Sequence, residues 1–471
     1  MAIETDLLIL GGGTGGYVAA IRAAQRGMDV VLVEKDKLGG TCLHRGCIPT
    51  KALLKSAEVM DTLNKVEEFG FELSGPISIH YESILKRKET IVNQLYQGVQ
   101  GLVKKNKIKV VHGKGAVLGP SIFSPVSGAV AVTYNDPEKE EDIYIPKKLI
   151  IATGSSPSSL PHLPIDETHI LSSDGMLKLD SLPESIAIIG GGVIGSEWAS
   201  LLNSLGVNVT VYEALDRLVV NESKKVSQTL QKAFEKRGIT VHVSHLIEQT
   251  EVTDEGVTLS VKGMDEPARY DKVMVAIGRK PNVEGLGLQN TSVKYDAKGI
   301  QVNEHYQTTE SHIYAIGDCI NTLQLAHVAS KEGELAVEHM VNETSEPLNY
   351  VNVPRCTYTS PEIASVGYTK ETLPKDKKVT IGTFNFASNG KALIGGDASG
   401  FVEVIKDEET DDLLGVSIIG PHATDLISEV STAIYLDATP MEIGEAIHPH
   451  PTLSEAIQEA SLDTEKWAVH K

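Results

Sequence analysis

Asp6-Leu7-Leu8-Ile9-Leu10-Gly11-Gly12-Gly13-Thr14-Gly15-Gly16 begins as a short apolar run and breaks into a glycine cluster, after which Tyr17 to Ala24 follows a helical pattern. The order is strand, turn, helix. Met28 to Val33 supplies a second strand, which ends on Glu34. In such a unit Gly11 permits a tight turn, Gly13 lets backbone N–H groups approach a pyrophosphate, and Gly16 lets helix and strand pack closely. Glu34 is placed for ribose hydroxyls. A glycine turn alone is weak evidence, but here the whole unit is present.

The chain contains the unit twice. Ile186 to Ile189 runs into Gly190-Gly191-Gly192-Val193-Ile194-Gly195, then a helix through Leu205 and a strand from Asn208 to Tyr212 that ends on Glu213. Adding 179 to Gly11, Gly13, Gly16 and Glu34 gives Gly190, Gly192, Gly195 and Glu213. Chance does not preserve four offsets, so two dinucleotide sites are expected. Glu213 would repel a 2′-phosphate and accept hydrogen bonds from a free ribose, which favours NAD over NADP at the second site. Arg217, preceded by Asp216, weakens that preference slightly.

Shortly after the first unit comes Gly39-Gly40-Thr41-Cys42-Leu43-His44-Arg45-Gly46-Cys47-Ile48-Pro49-Thr50-Lys51. Two cysteines five positions apart beside a nucleotide site form a dithiol able to exchange two electrons through a thiolate. A pair of unrelated buried thiols is the bland alternative. The flanking glycines, Ile48-Pro49 and the adjacent fingerprint oppose it. The first site must then hold a cofactor that can meet a thiolate, and a flavin fits that requirement.

Composition sets the outer limits. At 471 residues the chain is too long for one core and implies several domains. With 43 Lys plus Arg against 63 Asp plus Glu, the formal charge of −20 opposes nucleic acid and acidic membranes and suits a basic protein partner or plain solubility. No apolar run is long enough to cross a bilayer, and the apolar strand starts almost at once with no basic leader, so a cytoplasmic enzyme is expected. Cys319 and Cys356 are isolated, and no metal site is assigned. Lys147 to Ile151 is a strand running into Ala152-Thr153-Gly154-Ser155-Ser156-Pro157, read as a linker. Ala276-Ile277-Gly278-Arg279-Lys280-Pro281-Asn282 closes the second unit in similar fashion, and Ile313 to Asp318 is a strand ending in glycine and an acid. After about Leu348 the pattern changes to mixed strands and helices.

Taken with Leu325-Ala326-His327-Val328-Ala329, Tyr358-Thr359-Ser360-Pro361-Glu362 and His448-Pro449-His450-Pro451-Thr452-Leu453-Ser454-Glu455, these stretches resemble the flavin disulfide reductases, and within them the dihydrolipoamide dehydrogenases. The resemblance extends over the whole chain. It implies an α/β protein with two Rossmann-type domains, for FAD (1–150) and NAD (151–278), a central domain (279–349) completing the FAD site, and an α+β dimerisation domain (350–471). It also implies that Cys47 is the thiol next to the flavin, able to form a charge-transfer thiolate, while Cys42 exchanges with substrate. A helix starting near Cys47 would favour that thiolate through its dipole. Lys51 is expected near the flavin N5 and paired with Glu197. His450 matches the acid/base histidine and Glu455 the carboxylate that orients it. Gly115, Asp318 and Ala326 carry over as flavin contacts. Ala276, Gly278 and Arg279 fall in the dinucleotide segment.

The implied activity is oxidation of dihydrolipoyl groups on the lipoyl domain of an acyltransferase (E2), with reduction of NAD, by a homodimer docked on E2's basic subunit-binding domain. The departures are His44-Arg45 between the cysteines, Thr50 for Ser and Pro449 for Ala. The first brings added positive charge that could shift the disulfide potential. Among rivals, glutathione reduction usually needs NADPH, which Glu213 opposes, and mercuric reduction would need a C-terminal cysteine pair, which Trp467 to Lys471 lacks. A purely structural docking subunit would not need Cys42, Cys47 and His450.

Overall fold

The computed structural model describes residues 2–120, 127–342 and 344–471. The chain forms two compact units. One gathers the residues up to Ala52 with Leu85–Ser158 and Arg279–Leu348, and the other gathers Leu53–Ile84, Ser159–Gly278 and Asn349–Lys471.

In the first unit, Ala2–Leu10 lies between Val30–Glu34 and Asp142–Ile151, parallel to both. The run Leu7 to Leu10 is buried, as a parallel strand covered on both faces must be. Leu10 is in register with Val33 and with Ile151, and Ile151 with Ala315 of the strand Ile313–Ala315. Four strand ends therefore meet at one edge, where doubly wound sheets hold ligands. The added strand joins residues 279–349 to the sheet that begins the chain. Helix Thr14–Gln25 packs against helix Ala326–Asn342. Their approach is close because a Cβ on Gly333 would stand 2.8 Å from the Gly15 carbonyl.

The second unit contains a parallel sheet ordered Thr240–Val243, Asn208–Glu213, Ser185–Ile189, Lys272–Val275, Ile170–Leu171. An antiparallel meander of Ile247–Thr253, Gly256–Val261 and Ala268–Tyr270 adds to its core. Its C-terminal part is a five-stranded antiparallel sheet ordered Arg355–Thr357, Glu362–Gly367, Leu413–Gly420, Phe401–Asp407, Val379–Asn385. Helices Ala423–Tyr435 and Glu455–Asp463 contribute Ile427, Val430, Ala456, Ile457 and Ala460 to its core. This is the mixed pattern expected after Leu348. One expectation changes in detail: Ser155–Pro157, read as linker, is a short strand paired antiparallel with Arg279–Pro281. Ser and Pro tolerate that role because the ladder is only two strands wide and both are edges.

Candidate active site

The two glycine turns share their defining contacts. Gly11 and Gly190 hold φ of +105° and +107°, where any Cβ would strike the carbonyl oxygens of Ala152 at 2.3 Å and Ala276 at 2.4 Å. Only glycine fits such a position. A Cβ on Gly16 would stand 1.8 Å from the Gly11 oxygen, and one on Gly195 1.9 Å from the Gly190 oxygen. Gly13 and Gly192 open helices Thr14–Gln25 and Val193–Ser204 without a side-chain cap. The first-turn N–H groups are thus left facing outward with the positive end of the helix dipole. Glu34 accepts N–H bonds from Gly12 (2.6 Å) and Asp36 (2.7 Å), and Glu213 accepts them from Gly191 (2.6 Å) and Leu215 (2.8 Å). Each carboxylate is fixed by backbone and retains lone pairs for ribose hydroxyls. Both turns fit a dinucleotide. Arg217, the residue that could have welcomed a 2′-phosphate, turns its guanidinium onto Asp216 (2.9 Å) and the Val220 carbonyl (3.0 Å).

The dithiol is built against the first turn. Gly39 donates to the Gly12 carbonyl at 2.7 Å, and Gly40 lies so near that a Cβ there would sit 2.6 Å from the Gly13 Cα. A short helix, Gly40–Arg45, carries Cys42. Gly46 breaks it, and Cys47 opens the longer helix Cys47–Leu63, as expected. Cys42 and Cys47 form no disulfide and are hydrogen-bonded to each other. The hydrogen bond to Cys47 together with burial holds the Cys42 thiol far above the ordinary range, with the Lys51 cation opposing. Cys42 is therefore held as the thiol, and Cys47 stands at a helix N-terminus, where the dipole favours a thiolate. Lys51 comes about one turn after Cys47. The charge expected between the cysteines is engaged elsewhere: Arg45 pairs with Asp36 at 3.1 Å, and His44 bonds the Leu38 carbonyl at 2.8 Å while its ring meets Tyr96 edge-on.

Asp318 lies in the turn after Ile313–Ala315, with its Oδ2 accepting from the Ser155 hydroxyl at 2.6 Å. Ala326 begins its helix. Gly115 lies within strand Lys109–Val117, where a Cβ would crowd Leu10 at 2.4 Å. Gly278, with φ +113°, comes two residues after Ala276 at the end of Lys272–Val275. Arg279 is on the returning strand, bonded to Ser155. Glu197, 3% exposed on the second fingerprint helix, accepts the Tyr358 N–H at 3.0 Å.

His450 Nδ1 and Glu455 Oε1 are 2.8 Å apart, and the Thr452 N–H holds Glu455 Oε2 at 2.8 Å. Burial pushes the Glu455 carboxyl up, but the Thr452 N–H and His450 outweigh it and hold it below the usual range. His450 is largely exposed, with Nε2 directed away from its orienting acid. Sequence reasoning missed His448, whose side chain is 6% exposed and bonded through Nε2 to Glu429 at 2.7 Å. It also missed Glu332, wholly buried, which accepts the Gly317 N–H at 2.6 Å. Their partners are distant in sequence, so no local pattern marked them.

Residues 5–333 match the family model described as pyridine nucleotide-disulphide oxidoreductase, and residues 353–461 match the dimerisation domain of that family. The chain is 50% identical over 475 residues to a dihydrolipoyl dehydrogenase of Bacillus subtilis, covering 100% of both chains. It is 42% identical to a second one of that organism, covering 98% of this chain and 99% of the other. Among solved structures it is similar to LpdA of Mycobacterium tuberculosis, with TM-score 0.89 and 26% identity over 98% of this chain and 99% of that one. The matched models and relatives span the same glycine turns, dithiol and C-terminal sheet described above, and the chain belongs to the pyridine nucleotide-disulphide oxidoreductases, alongside the dihydrolipoyl dehydrogenases.

Proposed function

We propose that the protein oxidises dihydrolipoyl groups borne on an acyltransferase and reduces NAD, as the E3 component of a 2-oxo acid dehydrogenase complex. The observation that carries this is the docking of the Cys42–Cys47 segment on the first of two congruent nucleotide turns. FAD at the turn of Gly11, Gly13, Gly16 and Glu34, with Gly115, Asp318 and Ala326, supplies a two-electron relay between the dithiol and NAD. The second turn, Gly190, Gly192, Gly195 and Glu213 with Ala276 and Gly278, holds NAD. In this reading the segments 1–150, 151–278, 279–349 and 350–471 serve as FAD, NAD, central and interface domains.

The protein's own residues act on protons and sulfur. With the cysteines oxidised, a substrate thiolate attacks Cys42 Sγ, the Cys42–Cys47 bond breaks, and Cys47 leaves as a thiolate. The second substrate thiol then attacks the mixed disulfide, releasing the cyclic lipoyl disulfide and leaving Cys42 as thiol. His450, oriented by Glu455, accepts the substrate proton at Nε2. Lys51, about one turn after Cys47 on the same helix, steadies charge near the thiols. The dimerisation domain and the exposed Tyr435, Leu436 and Ile447 support a homodimer in which His450 serves the partner's dithiol. The proposed setting is cytoplasmic. No helix among the described residues is long and apolar enough to cross a membrane. The acidic surface fits docking on a basic E2 domain.

The test is anaerobic titration of the yellow protein with dihydrolipoamide. A long-wavelength thiolate–flavin band should appear, vanish in Cys47→Ser, and discharge on adding NAD. A band unchanged in Cys47→Ser would sink the assignment.

A further inference from the structure

Arg279 closes the nucleotide-binding segment in sequence, yet two of its hydrogen bonds lead to Ser155 beside Asp318. Its Nε donates to the Ser155 hydroxyl oxygen at 2.8 Å, and an Nη donates to the Ser155 carbonyl at 2.8 Å. Ser155 is 5% exposed, and its hydroxyl lies 2.6 Å from Asp318 Oδ2. Chemistry fixes the polarity of this chain. A guanidinium can only donate, so the Ser155 oxygen accepts from Arg279, and its single hydrogen goes to the carboxylate. Donation from a cation polarises the hydroxyl and strengthens its bond to the acid.

The surroundings hold all three residues in place. Arg279 and Ser155 lie on the two paired connector strands, which Asn282 fastens by donating to the Thr153 carbonyl (3.0 Å) and accepting from the Ser156 hydroxyl (2.7 Å). The Asp318 turn is anchored separately, since Glu332 accepts from the Gly317 N–H at 2.6 Å and from the Thr322 hydroxyl at 2.9 Å. Asp318 Oδ1 has no hydrogen-bond partner among the described residues. The acid is thus clamped by one oxygen while the other stays open to a ligand hydroxyl.

We infer that Arg279 is a positioning residue for Asp318, acting through the Ser155 hydroxyl, and is not a contact of the second nucleotide. This rests on the reading that the first site holds FAD. The test uses purified holoenzyme and two readouts independent of turnover: the rate of FAD release on dilution, measured by flavin fluorescence, and NAD+ affinity by calorimetry. Arg279→Met and Ser155→Ala should each release FAD about tenfold faster, the scale of one hydrogen bond to a charged acceptor. The double variant should be no faster than Ser155→Ala alone, because both act through one hydroxyl. NAD+ affinity should stay within about twofold of wild type in all three. Ser155→Ala only deletes one oxygen, so it keeps the test valid should Arg279→Met unfold. Wild-type FAD release from Ser155→Ala or Arg279→Met, additive effects in the double variant, or weakened NAD+ binding with flavin retained would each overturn the inference. Wild-type protein purified without flavin would instead overturn the reading beneath it.

Discussion

Because the two glycine turns share one geometry, the same lesion placed in each should separate the two cofactors. A methyl group on Gly16 would lie 1.8 Å from the Gly11 carbonyl oxygen, and one on Gly195 would lie 1.9 Å from that of Gly190. Ordinary contact needs roughly 3.5 Å, so each alanine demands about 1.5 Å of relief. No rotamer can provide it, since both colliding atoms are fixed to backbone. The helix must therefore back away from the turn, taking its N-terminal N–H groups with it. Overpacking costs about 1–3 kcal/mol, partly offset by the roughly 1 kcal/mol that alanine gains over glycine within a helix. The net of about 0–2 kcal/mol, carried to the phosphate, lowers cofactor affinity by up to about 30-fold. Gly16→Ala should emerge from purification with a reduced ratio of flavin to protein absorbance, while whatever flavin remains is still reduced by NADH with unchanged KM. Gly195→Ala should keep its flavin and show the raised KM. Flavin loss in Gly195→Ala, or full flavin with a raised KM in Gly16→Ala, would refute the assignment of the two turns.

Replacing Glu213 with Ser and adding a nearby Arg should improve NADP use and weaken NAD use by about 1–2 kcal/mol, read as the ratio of kcat/KM values; a wild type that already prefers NADP would contradict the second site. His450→Gln should keep flavin and fold yet lose turnover by roughly a hundredfold or more, and Glu455→Gln should lose less. Exchanging subunits between Cys47→Ser and His450→Gln proteins should restore about a quarter of wild-type activity, since half of the randomly assorted dimers have one intact site of two; no recovery despite proven exchange refutes the shared site. Burial pushes the Cys319 thiol up to about 11 from 9.0, so its folded form resists ionisation. This raised value leaves stability untouched below pH ~9, withdraws it as pH climbs towards ~11, and amounts to about 3 kcal/mol in all. Denaturant titrations across that window should show a shallower alkaline loss in Cys319→Ala, and an identical loss would show that another group is responsible.

Local backbone geometry was the part of the molecule most legible in the sequence. A positive φ or a close carbonyl demands glycine, so Gly11, Gly16, Gly190 and Gly195 could be read directly, and the acid ending each second strand came with the same unit. The break between the two cysteine helices was legible only in part, because Gly46 could have been any turn. Long-range polar partners were hidden. Nothing near Arg279 in sequence indicates Ser155, and nothing near Glu197 indicates the Tyr358 N–H. Such pairs arise where segments 120 or more residues apart are brought together, as in the Ser155–Pro157 and Arg279–Pro281 ladder. Arg45 shows the same limit in reverse: its charge counted as a local influence on the cysteines, but Asp36 shares it.

The repeated unit also locates the dithiol. After Glu34 the chain returns so that Leu38 fills the space left by the missing side chain of Gly12, and Gly39 donates to the Gly12 carbonyl at 2.7 Å. After Glu213 it returns in the same way: Leu218 fills the space beside Gly191, and Val219 donates to the Gly191 carbonyl at 2.9 Å. Gly39 and Val219 both hold positive φ, a strained choice for a β-branched residue and an easy one for glycine. The return loop is thus one device used twice, and the copies diverge immediately beyond it. In the second copy, Ser223 caps helix Lys224–Lys236 by accepting from the Val226 N–H. In the first, Gly40 presses the backbone onto Gly13 and the helix that starts there presents Cys42. The cysteines therefore owe their place beside the first turn to a return loop that both copies share. Cys42 and Cys47 lie in the two helices downstream of that loop, and the glycine turn has the same geometry in both copies.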